Sequence, residues 1–405
     1  MAAGNQDRIV SSLRDKEASP FTPGTPVPPE LFVGRSHQIE SLQRSAQQAC
    51  SGRQENVFLA GDRGIGKSSL AHFLRELCAK RFGMIGVHAV LTEVDCLEEM
   101  TRRIFDQLLK AAHTQPWFDR IRGLFGKYVK DVGLFGVSVT FAPPERDLRS
   151  LVREFPAALN NVWRKMGDQK RGLLIVLDDI NGLACKKVFA DWYKSFVDHV
   201  ATQGWETPVL MMLCGVPEVR DTLSDLQPSL MRIFHVVDIE RLSDEDVADF
   251  FRQAFHRKNV AVDADAVRTM MHFSSGLPAL MHEIGDAAYW LDTDGRIDRH
   301  DAVGGIASAA EEVGRKYLDP RVYRAIRSER YRAILGKVAS SVRRGQFTKR
   351  QVEEKLNAQE KRVFGNFLRR MRDLGVIEPD PERGRGSYRF VNRIFPVYIS
   401  MQSRA

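Results

Sequence analysis

Gly61-Asp62-Arg63-Gly64-Ile65-Gly66-Lys67-Ser68 decides how this chain is read. It follows the apolar run Val57-Phe58-Leu59-Ala60 and precedes Ser69 to Leu77, whose apolar residues recur at helical spacing. Strand, glycine-rich turn and helix is the context in which such a loop cradles phosphates. Gly61, Gly64 and Gly66 let the backbone N–H groups around Ile65 converge on phosphate oxygens without an obstructing Cβ. A helix starting at Lys67 adds the positive end of its dipole, close to Ser69 as well. The Lys67 ammonium can reach β- and γ-phosphates, and the Ser68 hydroxyl can ligate Mg²⁺. The expectation is a nucleoside triphosphate site.

Two further features fit it. Leu173-Leu174-Ile175-Val176-Leu177 is continuously apolar and ends in Asp178-Asp179. Unbroken apolarity means both faces of the strand are covered, as in a parallel sheet between helices. The two acids then stand at the strand's carboxyl end, where open α/β sheets hold their ligands. Asp178 suits the second contact to Mg²⁺, and Asp179 is placed to orient or deprotonate an attacking water.

At 405 residues the chain has room for two or three domains, and 43% hydrophobic with 28% charged residues is the balance of a globular protein. No apolar run approaches the roughly 20 residues that cross a bilayer. The five cysteines are scattered and never spaced as CxxC, which points to reduced thiols in a cytoplasm and away from disulfides or zinc. Residues 1–30 read as a flexible, proline-rich leader, and Ser36 as the cap of a helix from about His37 to Cys50. Residues 31–240 alternate strands and helices, with the last strand at Ile233 to Val237. Residues 113–150 interrupt the alternation as an insertion. Gly133 to Phe141 alternates like half a hairpin, serving either packing or a partner, and a long helix follows from Arg146 to Met166. Ser243 to Asp246 resembles a capping box, and helices fill 241–318. From 319 three helices and a strand pair, Val376 to Glu378 and Ser387 to Val391, read as a winged helix-turn-helix.

The charge is localised. Residues 331–405 carry 17 Lys and Arg against 7 Asp and Glu, a net +10, so the rest of a +8 chain nets −2. On the third of these helices Lys361, Arg362, Arg369, Arg370 and Arg372 interleave with Val363, Phe364, Phe367, Leu368 and Met371, leaving the bases outside. Arg383, Arg385 and Arg389 lie on or beside the wing. A basic helix for the major groove and a basic wing for phosphates make a duplex-DNA interface, although winged helices also dock proteins.

Leu31-Phe32-Val33-Gly34-Arg35, Gly66-Lys67-Ser68, Leu177-Asp178-Asp179 and Gly276-Leu277-Pro278 occur in that order, ahead of the basic winged helix. In this the chain resembles AAA+-related ATPases over about residues 20–400, nearest in pattern to the archaeal origin-recognition-type and the STAND ATPases. The resemblance implies an α/β P-loop NTPase domain, a helical lid, a winged helix, and ATP or ADP with Mg²⁺. It sets Val33, Gly34 and Arg35 against the adenine and puts Pro278 in the nucleotide-binding set, where initiators carry a sensor arginine. It makes Arg232 an arginine finger for a neighbouring subunit; the alternative is a surface ion-pair arginine. Three departures, namely Asp179 for a glutamate, Cys214-Gly215 for a polar sensor, and Pro278, point to a slow ATPase acting as a nucleotide switch on DNA. The alternative is an ATP-controlled signalling or assembly module, as in stress or phage defence, whose winged helix contacts protein in a homo-oligomer or a complex.

Overall fold

The run Val57 to Ala60 lies inside β1 (Glu55–Gly61), every residue of which except Glu55 is buried. In the computed structural model, which describes residues 16–28, 32–132, 138–167, 170–203, 208–342 and 345–403, β1 belongs to a unit formed by Pro26–Glu240. Its neighbours are β2 (Met84–Val90), β5 (Gly172–Asp178), β6 (Val209–Gly215) and β7 (His235–Ile239), in the order β2-β5-β6-β1-β7. All four pairings are parallel. Successive side chains of a strand point to opposite faces. Phe58, Ala60, Ile175 and Met211 enter one buried cluster, and the alternate set, Val57, Leu59, Val176 and Met212, is buried as well. Both faces are therefore covered, as continuous apolarity requires.

The insertion contains an antiparallel hairpin, β3 (Val129–Val132) with β4 (Ser138–Phe141). Residues 133–137 of the expected strand lie outside the described residues. Phe141, Phe125 and Phe155 surround Phe105 with ring centroids 5.1–5.9 Å away, so the hairpin packs into the core of this unit.

Several expected elements are corrected. The long helix after the hairpin is two helices, Glu145–Arg153 and Phe155–Met166. The break is at Glu154 (φ −98°, ψ 17°), followed by Pro156, which has no N–H for an intrahelical bond. Ser36 starts its helix but caps nothing. The residue before it, Arg35, is left-handed at φ 65° with no side-chain cap. The final strand begins two residues late, at His235, because Pro228–Arg232 forms a 3₁₀ turn ahead of it.

The second unit comprises Arg241–Ala405 and the chain up to Thr25. Helices Asp244–His256, Ala264–Ser274, Pro278–Leu291 and Arg299–Val313 pack with the short parallel pair β8 (Ala261–Val262) and β9 (Arg296–Ile297). The Ser243 hydroxyl accepts from the Asp246 amide and donates to its carboxylate, closing the first helix as the spacing predicts. The fourth helix ends early and runs into a wide π-type turn, Gly314–Tyr323, containing Pro320. Beyond it lie helices Glu329–Ser341, Lys349–Glu353 and Ala358–Asp373 with an antiparallel sheet, β10 (Gln346–Thr348), β11 (Ile377–Pro379) and β12 (Ser387–Phe390), in the order β10-β12-β11. The three-residue β10 and the closing helix Phe395–Gln402 carry too little periodic pattern to be read from sequence.

The described part of the expected leader is a packed strap. Phe21 is 4% exposed and sits among Phe250, Phe251, Phe255 and His282 at 5.0–6.3 Å between ring centroids. Gly285 makes room, since a Cβ there would come within 2.4 Å of the Phe21 ring. Lys16 pairs with Asp292 at 3.1 Å, and the Thr22 amide donates to His282 Nδ1 at 3.0 Å. The proline content suggests a free segment, but one aromatic residue with a prepared pocket overrides it.

His282 is buried and its pKa is lowered to about 4 by that burial. In the unfolded chain imidazole titrates near 6.5, so between the two values only the unfolded state takes up the proton. This contribution to stability is therefore complete above pH 6.5 and lost as pH falls toward 4, by about 3 kcal/mol in all. Hydrogen-exchange protection factors in helix Pro278–Leu291, referred to the intrinsic rate at each pH, should fall as pH drops over that interval in the wild type, and His282→Leu should remove this dependence.

Candidate functional site

The carboxyl ends of β1, β5 and β6 are level with one another. Leu59 of β1 and Asp178 of β5 both pair with Cys214 of β6. From β1 the chain turns through the glycine loop into helix Lys67–Phe82. Gly64 (φ 75°) and Gly66 (φ 99°) hold left-handed conformations that a side chain would strain. Gly61 is required for space, since a Cβ on it would lie 2.9 Å from the Ile239 carbonyl oxygen and from Ile65 Cγ2. Ile65 is buried under the loop.

Lys67 Nζ donates to the carbonyls of Gly61 (2.7 Å) and Asp62 (2.8 Å), so the ammonium is folded over its own loop. Burial lowers its pKa, against the raising influence of Cys214, Asp178, Asp62 and Asp179. Asp178 is 5% exposed. Burial alone would raise its pKa, but hydrogen bonds from His88, Ser68 and the Asp179 amide hold it below the usual range. His88 Nε2 stands 3.0 Å from Asp178 Oδ2. The structure thus brings Ser68, Lys67 and Asp178 together.

Asp179 lies just past the strand with left-handed backbone, φ 57° and ψ 53°. Both carboxylate oxygens are held: Thr92 Oγ1 donates to Oδ2 at 3.0 Å, and the Asn181 amide donates to Oδ1. Asn181 Oδ1 in turn accepts the Val216 N–H at 3.1 Å, just past β6.

Gly34 (φ 67°) and Arg35 bend the chain after Val33 toward the loop, and Arg35 Nη2 donates to the Ile65 carbonyl at 3.1 Å. Leu31, the first residue of that motif, lies outside the described residues. Phe32 stacks on Phe73 of the loop helix, centroids 4.9 Å apart. Ser69 Oγ accepts the buried Val27 amide at 3.1 Å. Arg232 closes the 3₁₀ turn before β7; it is exposed and has no hydrogen bond or ion pair among the described residues. Pro278 is the first residue of its helix, in the second unit.

In that unit helix Ala358–Asp373 buries Phe364, Phe367, Leu368 and Met371 and exposes Lys361, Arg362, Arg369, Arg370 and Arg372. Arg383 and Arg385, between β11 and β12, are exposed too. None of these seven has a carboxylate partner among the described residues. Arg389 differs, since its Nε donates to Glu378 at 2.6 Å across β11 and β12. Asn357 and Glu360 form a reciprocal cap at the helix start, and Lys337 pairs with Glu360 at 2.7 Å.

Residues 31–193 match the model of the AAA ATPase domain family. No curated protein sequence matches the chain. Among solved structures it is similar to the Walker-type ATPase PABY2304 of Pyrococcus abyssi, at 15% identity and TM-score 0.54, over 91% of this chain and 96% of that one. It is also similar to the Aeropyrum pernix ORC2 protein, at 12% identity and TM-score 0.55, over 95% and 97%. At such identities the likeness is one of fold. The α/β unit has the P-loop NTPase fold, with a parallel central sheet. No helix among the described residues is long and apolar enough to cross a membrane.

His88, Thr92 and Asn181 have no sequence signal of their own. They reach Asp178 and Asp179 only because β2 pairs with β5 and the turn after β5 folds under the end of β6. Gly61→Ala should force β1 away from β7 and destabilise this unit by about 1–3 kcal/mol, read as a lowered thermal midpoint.

Proposed function

We propose that this chain is an ATP-binding, slowly hydrolysing nucleotide switch of AAA+ type whose carboxyl-terminal winged helix binds duplex DNA. The observation that carries the nucleotide reading is the glycine loop, with Lys67 folded on its carbonyls, at the strand ends beside the buried Asp178 carboxylate. The AAA ATPase domain match over 31–193 supports it, as does the likeness to ORC2, a structure of ADPNP–ADP complexes.

The triphosphate would lie on the loop amides, with Lys67 leaving its carbonyl acceptors for the β- and γ-phosphates. Ser68 and Asp178 offer one hydroxyl and one carboxylate, hard oxygen donors that suit Mg²⁺ completed by phosphate oxygens and water. The ion would neutralise charge developing on the phosphates. His88 fixes the Asp178 rotamer. Val33, Gly34 and Arg35 flank the base, as the resemblance implies.

In hydrolysis a water oxygen bonds to the γ-phosphorus, and the β–γ bridging oxygen leaves with ADP, retaining the bond pair. Asp179 takes the water's proton. The short Asp179 side chain and the Cys214-Gly215 end of β6 favour slow turnover and hence a switch. Arg232, exposed and without a partner among the described residues, suits presentation to the γ-phosphate of a neighbouring copy.

The DNA reading rests on the seven exposed cations, five of them on the side of helix Ala358–Asp373 opposite its buried residues. Such a helix enters a major groove while Arg383 and Arg385 grip phosphates beside it. Helices Glu329–Ser341, Lys349–Glu353 and Ala358–Asp373 with the β10–β12 sheet form the winged helix of this reading.

Lys67→Ala should weaken ATP binding about tenfold or more in equilibrium titration, while Asp179→Asn should bind ATP and lose about 10²–10⁴-fold in turnover. Equal ATP affinity in wild type and Lys67→Ala would refute the nucleotide assignment. For DNA, neutralising Arg369 and Arg370 together should weaken duplex binding and lower the salt slope by about 2. A wild-type protein that binds no duplex at low salt leaves the alternative, an ATP-controlled module whose winged helix meets protein.

A further inference from the structure

We infer that Asn181 is the positioning residue of the hydrolytic step, doing from the turn after β5 what the end of β6 has no polar side chain to do. The inference rests on the proposed reading of Asp179 as the group that takes the water's proton.

Strand β6 closes with Cys214 and Gly215, both fully buried or without a side chain, beside the level of Asp178. A thiol is a weak hydrogen-bonding partner, and glycine offers no side chain at all. The vacant position is filled from the neighbouring strand. Asn181 reaches under β6 and accepts the Val216 amide through Oδ1, while its Nδ2 donates to Asp179.

The two ends of one amide therefore tie the frame of the sheet to the carboxylate. The Val216 bond also fixes the amide's orientation, since only the oxygen can accept an N–H and only the nitrogen can then face Asp179. A neutral donor is required at that place; a carboxylate would oppose Asp179 with like charge. The left-handed backbone of Asp179 fits this account. It is a non-glycine residue held at φ 57°, a conformation that persists where surrounding contacts over-determine it. Thr92 constrains the other carboxylate oxygen from the β2 side. With Asn181 gone, the carboxylate would keep one tether and swing about it.

The discriminating pair is Asn181→Ala and Asn181→Asp. Alanine loses both contacts. Aspartate keeps an acceptor for the Val216 amide, so the turn stays supported, but it replaces the donor to Asp179 with a like charge. If Asn181 positions Asp179, both variants lose about 10–100-fold in kcat, the scale on which such supporting partners act, with ATP affinity within about threefold of wild type. In an Asp179→Asn background Asn181→Ala should cost nothing further, because interacting residues are not additive. If Asn181 only supports the turn, Asn181→Ala lowers the thermal midpoint but retains wild-type kcat below it, and that result overturns the assignment while leaving the nucleotide reading intact. Full additivity with Asp179→Asn overturns it as well. A wild-type protein that binds ATP yet shows no turnover removes the hydrolytic reading and this assignment together.

Discussion

The meeting of the glycine loop with the Asp178 end of β5 depends on the register of three parallel strands. Asp178 and Leu59 face the same residue of the intervening strand, Cys214, so two chain ends far apart in sequence finish at one height. Strands lie about 4.8 Å apart, and the glycine loop with the first turn of its helix covers the two intervals between them. A slip of one residue in β5 would turn Asp178 to the other face of the sheet and dissolve the site. The continuous apolarity of β5 and β6, buried on both faces, holds that register.

The same arrangement explains how charge is tolerated there. A half-buried ammonium and a buried carboxylate are costly unless each has partners. Lys67 meets the loop's own carbonyls, and Asp178 meets His88, Ser68 and the following amide. Loop and strand end are thus preorganised by ordinary hydrogen bonds, and a phosphate-bearing ligand would exchange partners rather than create order. Asp179 is held by a separate set, Thr92 and Asn181, so two adjacent acids have two independent supports and can serve different purposes.

The second unit distributes its charge differently. Where basic residues serve the fold they are committed: Lys337 to Glu360, Arg389 to Glu378, Lys16 to Asp292. The seven cations of helix Ala358–Asp373 and of the segment between β11 and β12 have no such commitment among the described residues. Because paired and unpaired bases look alike in composition, a net charge of +10 over residues 331–405 could not separate Arg389 from Arg385; cross-strand pairing of β11 with β12 does.

The glycine loop, the apolar run ending in two aspartates and the alternation of strands and helices were legible because their signals are local: backbone freedom at Gly64 and Gly66, and unbroken burial along Leu173 to Leu177. Local propensity misled where tertiary packing outweighed it. Prolines suggested a free leader, but Phe21 fills an aromatic pocket; helical period joined Arg146 to Met166, but the chain breaks at Glu154. Sequence alone therefore determined that this chain builds a phosphate-cradling loop opposite an acidic strand end, since both are written in contiguous residues. Only the tertiary structure decided which side chains support those acids. His88, Thr92 and Asn181 are separated from their partners by strand pairing and turn geometry that no contiguous pattern encodes.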